Sequence, residues 1–358
     1  MEDKVILKLF LGPIASLLLF GIAHAGDIIF HEEAGQQAII YRMAPNGTGL
    51  REIGHGLFPK WTPNKKCISY VGAAPGTIGE FIVADVGGRE MLRIKKLRET
   101  GSIIRYCWHP KGKSIAFATV FGRHIGSVSN YHLETKSIQT LHEFACKDLD
   151  EALIATTLGW SPDGEQLLFS VGSVVSKGQG IALIDPKKGT AKTLSDVGAL
   201  PRFRGKDRVL FVIGSEIWTI YTDGSNKRKL LDADLPILNS SEAVDEKMIL
   251  QVKGRDVRGE LPFSLFLLDL QKERLEEIKA ENYLLLCPRI SPDGDKFTAV
   301  GLKLKNGELV SEEEAESGYY VYDLKTREVT LLKRFEPGKG EGFWFGVYLG
   351  YGNHTSWR

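Results

Sequence analysis

The sequence predicts an all-β protein built from seven copies of one unit, each a small antiparallel sheet of four strands. Three observations lead to this prediction: a short turn phrase recurs along the chain, a second hairpin follows each turn at a regular distance, and the two chain ends supply complementary strands of one copy. A sequence period of this kind determines the whole fold, so it precedes any argument about function.

The turn phrase stands twice in full, as Trp160-Ser161-Pro162-Asp163-Gly164 and as Ile290-Ser291-Pro292-Asp293-Gly294. Weaker copies occupy residues 61–64 and 108–112. Proline fixes φ at the first corner of a turn, while Asp or Asn caps the turn and Gly adopts positive φ at its last corner. Because a short β-rich run follows each copy, the phrase predicts a tight connection between two antiparallel strands.

A second hairpin lies about 20 residues after each turn and begins with an apolar strand. These strands start at Ile39, Phe81, Tyr131, Ile181, Ile217, Phe266 and Tyr320. Neighbouring starts are roughly 36 to 54 residues apart, within the range of four-stranded propeller blades. Two copies keep their place without the turn phrase, at residues 203–207 and 244–247.

The two ends of the chain complete the count. Residues 27–30 resemble a second strand without a first, and residues 353–358 resemble a first strand without a second. We therefore expect a seven-bladed β-propeller of four-stranded antiparallel blades over residues 26–358, with the ring closed by the C-terminal strand, which removes exposed sheet edges. In the alternative, the aromatic tail of residues 343–357 packs across one face of the fold.

Residues 1–25 have the pattern of a signal peptide. The apolar run from Leu9 to Ile22 is too short to span a bilayer as a helix, and small residues Ala23 and Ala25 flank His24 before the expected cleavage at Gly26. The pattern predicts export, and hence a periplasmic or secreted protein. The alternative, a first strand of the fold, is disfavoured because Gly12-Pro13 interrupts the run.

Composition narrows the class of partner. The 358 residues carry a net charge of +1 with 25% charged residues, so the net charge does not attract the chain to nucleic acid. No segment after residue 25 is apolar enough for a membrane span. We expect a monomer. The four cysteines have no metal-ligand spacing, and the three in strand runs, Cys67, Cys107 and Cys287, are predicted to be buried free thiols, although an oxidising compartment leaves one disulfide open. The fourth is Cys146.

The turn phrase and the hairpin from Ile217 to Gly224 resemble the TolB-type propeller repeat. The resemblance covers almost the entire chain after the leader. It implies an exported propeller, a scaffold that occurs in periplasmic binding proteins, in the lids of serine peptidases and in some polysaccharide lyases.

No catalytic pattern is evident. The peptidase motif Gly-x-Ser-x-Gly is missing, since the nearest run, residues 126–130, lacks its closing glycine. None of the eight histidines has metal-site spacing, so we expect no cofactor and no metal. His31, His55 and His124 are expected in loops on one rim of the ring, where a solvated role is the default.

One positional pattern suggests a ligand. The residue before the aromatic or apolar residue of the turn is Lys60, Arg202 or Arg289 in three copies, and Arg105 lies slightly further back. These side chains would form a basic collar at the channel mouth, suited to a carboxylate or phosphate of a small anionic ligand. In the alternative, each cation pairs with an acid on a neighbouring blade or lies along the packing between blades with its charge at the rim.

The function predicted from the sequence is an exported, non-catalytic binding scaffold whose rim loops are presented to a protein or peptide partner. The alternative is a carbohydrate-active lyase or hydrolase with its site in the central funnel, because the propeller lyases that this repeat resembles use histidines and a metal on that face.

Overall fold

A computed structural model describes residues 26–34, 37–77, 79–95, 101–121, 125–145, 157–170, 180–254, 263–307, 316–335 and 355–357. All regular structure in these ranges is β-strand, with no helix. Consequently, the described part of the chain offers no helix of the length and hydropathy that a membrane crossing requires.

The largest sheet has seven strands in the order β27-β1-β2-β3-β4-β5-β6. Its strands are β1 (Ile28–Ala34), β2 (Gln37–Met43), β3 (Arg51–Trp61), β4 (Cys67–Gly72), β5 (Phe81–Asp85), β6 (Glu90–Ile94) and β27 (Thr355–Trp357). Strand β3 serves twice: its first half, up to His55, pairs with β2, and its second half, from Gly56, pairs with β4.

Five further sheets have four antiparallel strands each. Two of them contain β7 (Ser102–Trp108), β8 (Ser114–Phe121), β9 (Ile125–His132) and β10 (Ser137–Ala145), then β11 (Thr157–Trp160), β12 (Leu167–Ser170), β13 (Ile181–Asp185) and β14 (Thr190–Ser195). The next contains β15 (Ala199–Arg204), β16 (Arg208–Ile213), β17 (Glu216–Tyr221) and β18 (Arg228–Asp232). The last two contain β19 (Ile237–Ser240), β20 (Lys247–Lys253), β21 (Phe263–Asp269) and β22 (Arg274–Ile278), then β23 (Tyr283–Ile290), β24 (Lys296–Lys303), β25 (Glu316–Asp323) and β26 (Val329–Arg334).

The double role of β3 divides the strands into groups of four, which we number as units. Unit 1 contains β27, β1, β2 and the first half of β3, and unit 2 contains the second half of β3 with β4, β5 and β6. Units 3 to 7 are the five four-stranded sheets in chain order. Each of the seven strand starts predicted from the sequence lies within the third strand of a unit, from β2 to β25, but β9 begins six residues before the predicted start at Tyr131.

The recurring turn has the predicted chemistry. In unit 4, the Ser161 hydroxyl donates to Asp163 Oδ1 over 2.7 Å, and the same oxygen accepts the backbone N–H of Glu165 over 3.0 Å. Gly164 closes the turn with a φ of 80°, a conformation that glycine adopts without strain. Unit 7 repeats the arrangement with Ser291, Asp293 and Gly294, so the phrase is a genuine structural repeat.

The C-terminal strand belongs to unit 1. Strand β27 pairs antiparallel with β1, with Trp357 opposite Ile28 and Thr355 opposite Phe30. It also contacts unit 7, where the Thr355 and Thr298 hydroxyls are 2.7 Å apart. The two ends of the described chain therefore meet in one sheet.

Among the described residues, the hydrophobic core is divided into seven clusters, and each cluster fills one boundary between neighbouring units. Six of these clusters join units 1 to 7 in chain order. The seventh joins unit 7 to unit 1, where Leu284, Leu286 and Tyr319 pack against Ile28 and Phe30. The first and the last unit of the described chain therefore pack against each other.

Candidate functional site

A shared irregularity in the first strands of units 2, 5 and 7 positions the predicted basic residues. In each strand an apolar residue and a proline precede the cation, in the runs 57–60, 199–202 and 286–289. The pairing with the second strand shifts across each run, because three steps on the first strand face two steps on the second. A β-bulge of this kind bends a strand and re-aims a side chain.

The residue before each proline has a left-handed backbone. Phe58, Leu200 and Cys287 have φ values of 57°, 53° and 52°. Such conformations cost on the order of 1–3 kcal/mol for a residue with a side chain and persist only where the surroundings enforce them. Proline suits the bulge because it has no backbone N–H to lose from a sheet ladder. Three bulges of the same kind therefore give Lys60, Arg202 and Arg289 equivalent positions in their units.

Lys60 lies between units 2 and 3. Its ammonium donates to the backbone oxygen of Tyr106 over 2.7 Å and stands 5.1 Å from the centre of the Tyr106 ring. The Tyr106 hydroxyl in turn donates to the backbone oxygen of Phe58, which fixes the bulge. Burial lowers the pKa of Lys60 below its usual range, so this cation is largely removed from bulk water.

Arg202 lies between units 4 and 6. Its guanidinium donates to Pro201 O over 3.0 Å and reaches Thr157 Oγ1 and Ser240 O only at 3.5 Å, the outer limit of a hydrogen bond. Its Nε atom is buried and has no hydrogen-bond partner among the described residues. Burial lowers the pKa of Arg202 as well.

Arg289 is the most deeply buried of these cations, with 7% of its side chain exposed. It donates to the same backbone oxygen as Arg202, that of Ser240, over 3.2 Å. Its Nη1 atom is 3.7 Å from Glu242 Oε2. The two arginines therefore approach the first strand of unit 6 from opposite sides.

The charges of these residues act on one another. Glu242, Arg105 and Arg289 all shift the pKa of Lys60, and Glu242 and Arg289 shift that of Arg202. Arg105 lies over the ring of Phe58 at 5.5 Å and donates to Ile104 O. The structure thus brings together the four cations predicted from the sequence, which we call the basic cluster: Lys60, Arg105, Arg202 and Arg289.

Pairing with acids explains only part of the cluster. Arg289 has Glu242 within 4 Å, but neither Lys60 nor Arg202 has a carboxylate at that distance in the described part of the chain. The alternative in which every cation is matched by an acid therefore holds for Arg289 alone among these three.

Glu242 is the member of the site that sequence reasoning missed. Enclosure by protein raises the pKa of its carboxyl, but the attraction of Arg289 and Arg202 outweighs this effect and lowers the pKa to about 2. Solvent nevertheless reaches the side chain, which is 61% exposed. Enclosure by protein and high exposure occur together when a carboxylate faces a space that protein surrounds but that water can enter. The available signal was an acid directly after Ser241 in a unit without the turn phrase.

The histidine predictions are wrong where the structure describes them. His31 was expected in a loop but lies within β1, which continues to Ala34. It is 1% exposed, and burial lowers its pKa to about 3. His55 lies within β3, which runs unbroken through the expected linker. The strand can pass this close to Tyr70 because residues 54 and 56 are glycines: a Cβ at either position would stand within 3 Å of the Tyr70 side chain. His124 lies outside the described residues.

The described thiols show no reactive character. Cys67 and Cys107 are free cysteines that are half-buried rather than fully buried as predicted, and removal from solvent raises the pKa of each, that of Cys107 to about 12. Cys287 is buried within a bulge, and Cys146 lies outside the described residues. Within those ranges, no three His, Cys, Asp or Glu side chains lie close enough to hold a metal ion.

No family of related sequences and no curated protein matches the chain. Solved structures do. TolB from Acinetobacter baumannii is 16% identical with a TM-score of 0.50, over 93% of this chain and 66% of TolB. An oligogalacturonate lyase in complex with manganese is 13% identical with a TM-score of 0.58, over 88% of this chain and 90% of the lyase.

A third similar structure is the β-propeller domain of the Trilobed protease from Pyrococcus furiosus, which has an open velcro topology. It is 12% identical with a TM-score of 0.57, over 88% of this chain and 96% of the domain. The chain spans slightly less than two thirds of TolB. Structural similarity at such low identity shows that the fold is shared, but the same fold serves many unrelated functions. The chain has the fold of a β-propeller.

Proposed function

We propose that this chain is a binding scaffold without catalytic chemistry, which holds an acidic group of a protein or peptide partner at the basic cluster. In this proposal the seven units are the blades of one closed ring, and β27 completes the first blade. The packing of the first unit against the last supports the closure, and the first strands then surround a central channel.

The observation that carries the proposal is the excess of positive charge. Glu242 lies within 4 Å of Arg289 alone, Lys60 and Arg202 have no carboxylate at that distance among the described residues, and burial lowers the pKa of both. Cations withdrawn from water are costly unless an anion compensates them. A bound carboxylate would supply that compensation, and arginine matches its geometry with two parallel hydrogen bonds.

The cluster defines one end of the channel. Lys60, Arg202 and Arg289 lie one residue before the end of their first strands or close to it, beside the turn to the second strand. The rim loops predicted to receive a partner lie at the other end of these strands, and residues 122–124, 171–179, 255–262 and 308–315 of that rim are outside the described ranges. The rim loops are therefore proposed as a second surface that contacts the partner.

The direct test is anion-dependent stability at constant ionic strength. An acidic peptide with a free C-terminus should raise the melting temperature of the mature chain. The gain should grow with the logarithm of concentration and reach about 2.7 kcal/mol at 100 times Kd. The triple variant Lys60→Gln, Arg202→Gln, Arg289→Gln should lose the gain.

A second triple variant controls for net charge. Lys187, Arg228 and Arg274 are exposed, with 74%, 54% and 66% of their side chains in solvent. Changing all three to Gln removes the same charge far from the cluster, and the gain should persist. An equal loss in both variants, or no gain in the parent chain, would overturn the proposal.

The enzymatic alternative predicts a different result in the same preparation. A bound divalent ion together with cleavage of oligosaccharides would favour a carbohydrate-active enzyme. Export belongs to the proposal too: the mature N-terminus, read by sequencing the protein from a periplasmic or secreted fraction, should be Gly26.

A further inference from the structure

Unit 6 departs from the repeat at the position where its turn begins. Ser241 has the role of Ser161 and Ser291, since each hydroxyl accepts a backbone N–H from the start of the second strand. That donor lies five residues later in units 4 and 7 but eight residues later in unit 6. The turn of unit 6 is thus three residues longer, and its equivalent phrase begins before the 244–247 segment suggested by the sequence.

The longer turn changes which residue follows the serine. Units 4 and 7 have Pro162 and Pro292 there, whereas unit 6 has Glu242. The Glu242 carboxylate lies beside Arg289 and is attracted by both Arg289 and Arg202. A carboxylate of the chain itself therefore stands where the basic cluster is expected to hold an anion.

The contact between Glu242 and the arginines is loose. The closest approach is 3.7 Å, longer than the 2.7–2.9 Å typical of a paired guanidinium and carboxylate, and most of the Glu242 side chain is exposed. A permanent counterion would be expected to form the short, forked pair instead. The geometry is that of an occupant that leaves the arginine nitrogens open to water or to another anion.

The surroundings leave buried donors unused. Arg202 Nε and Asn239 Nδ2 are buried and have no hydrogen-bond partner among the described residues, and the same is true of the Ser240 hydroxyl. Asn239 and Ser240 are 5% and 1% exposed. Guanidinium and amide nitrogens only donate, so an acceptor is needed to satisfy them. Arg202 lies beside this strand, at the limit of a hydrogen bond from Ser240 O, and its buried Nε can donate to an oxygen atom of a ligand.

We propose that Arg202 and Arg289 form a clamp for a carboxylate, and that Glu242 is its displaceable internal occupant, which a ligand carboxylate replaces. The proposal rests on the binding function proposed above and adds the chemical class of the ligand and a competitor that sets its affinity. The carboxylate belongs either to the end of a peptide or to a small organic acid.

Titration calorimetry at constant ionic strength tests the clamp with succinate, with an acidic hexapeptide as free acid and as C-terminal amide, and with inorganic phosphate. Glu242→Gln removes the competing charge and should tighten carboxylate binding about tenfold, within the usual range of such couplings. Glu246→Gln is the matched control, because Glu246 is an exposed acid of the same turn that pairs with Arg204 instead. It should change Kd by less than about twofold.

The arginines are tested by Arg202→Gln and Arg289→Gln, which should abolish binding, and by Arg289→Lys, which keeps the charge without the fork and should weaken it. Loss of binding on amidation assigns the ligand to a peptide terminus; equal binding of succinate and both peptides assigns it to carboxylates in general. Tighter binding of phosphate than of succinate contradicts the carboxylate assignment.

Two outcomes separate the two proposals. If the parent chain binds succinate but Glu242→Gln binds it equally or more weakly, or if Glu246→Gln tightens it as much, the internal occupant is wrong while the binding scaffold stands. If neither the parent chain nor Glu242→Gln binds any of the probes, both the clamp and the proposed function are wrong.

Discussion

Units 6 and 7 are neighbours with the same four-stranded plan, but their first turns differ. Unit 7 keeps the full phrase from Ile290 to Gly294, and its serine accepts a backbone N–H five residues later. Unit 6 has no proline, aspartate or glycine at those places, and its turn is three residues longer. The regular turn supports the ring, and the irregular turn brings an acid to the basic cluster.

The two units also differ in the contacts that they make with their neighbours. Unit 7 forms the seam with unit 1: the Trp357 indole donates to Arg289 O over 2.9 Å, and the Tyr319 hydroxyl donates to His31 O over 2.6 Å. Unit 6 places Glu242 between two arginines of its neighbours. In a repeat protein the departures from the repeat are the positions to inspect for function, because fold stability alone does not require them.

The largest expected effect concerns the seam. Deleting residues 353–358 removes the first strand of unit 1, the Thr355–Thr298 contact and the Trp357–Arg289 hydrogen bond. Trp357 is half-buried, so its loss should cost less than the about 3–5 kcal/mol of a fully buried aromatic residue, and the lost strand pairing adds to that cost. Thermal unfolding followed by circular dichroism should therefore shift down by several degrees. Unchanged thermal stability would show that β27 does not close the ring.

The seam should also respond to pH. Burial lowers the pKa of His31 to about 3, so between pH 6.5 and 3 the unfolded chain takes up a proton that the folded chain does not. Stability therefore falls with decreasing pH, by about 1.4 kcal/mol per unit from this group. His31→Gln should show a correspondingly shallower dependence in urea unfolding between pH 6 and 4.5. Parallel curves for both proteins would contradict the assigned burial.

Glu242 in unit 6 should make stability depend on pH in a lower pH range than His31 does. The pKa of Glu242 is depressed from 4.5 to about 2, so its stabilising attraction to the arginines is present above pH 4.5 and is lost as the pH falls toward 2. Glu242→Gln should therefore change the slope only below about pH 5.5, whereas His31→Gln already changes it below about pH 6.5, so the two variants separate the two groups.

The smallest expected effect compares the two turn serines. Ser291→Ala and Ser241→Ala each remove a hydroxyl that accepts a backbone N–H, over 2.9 Å in both cases. Each should cost about 1–2 kcal/mol of unfolding free energy. Only Ser241→Ala should also change the Kd for succinate, because Ser241 precedes Glu242. Equal changes in Kd for both variants would mean that the two turns do not differ in function.

The fold was largely predictable, since the turn phrase depends on local chemistry that Pro162, Asp163 and Gly164 determine by themselves. The cations of the basic cluster were also found from their position before the turn. The course of β3 was not, because whether Gly54 and Gly56 break a strand or let it pass Tyr70 depends on a contact between units. Glu242 was missed for the same kind of reason: its partners come from two other units.

The most direct test of the account is a crystal structure of the mature chain grown with succinate. The account predicts one succinate carboxylate within about 3 Å of the Arg202 and Arg289 guanidinium groups, with the Glu242 side chain turned away from Arg289. Glu242 still beside Arg289 at saturating succinate, with no carboxylate between the two arginines, would contradict it.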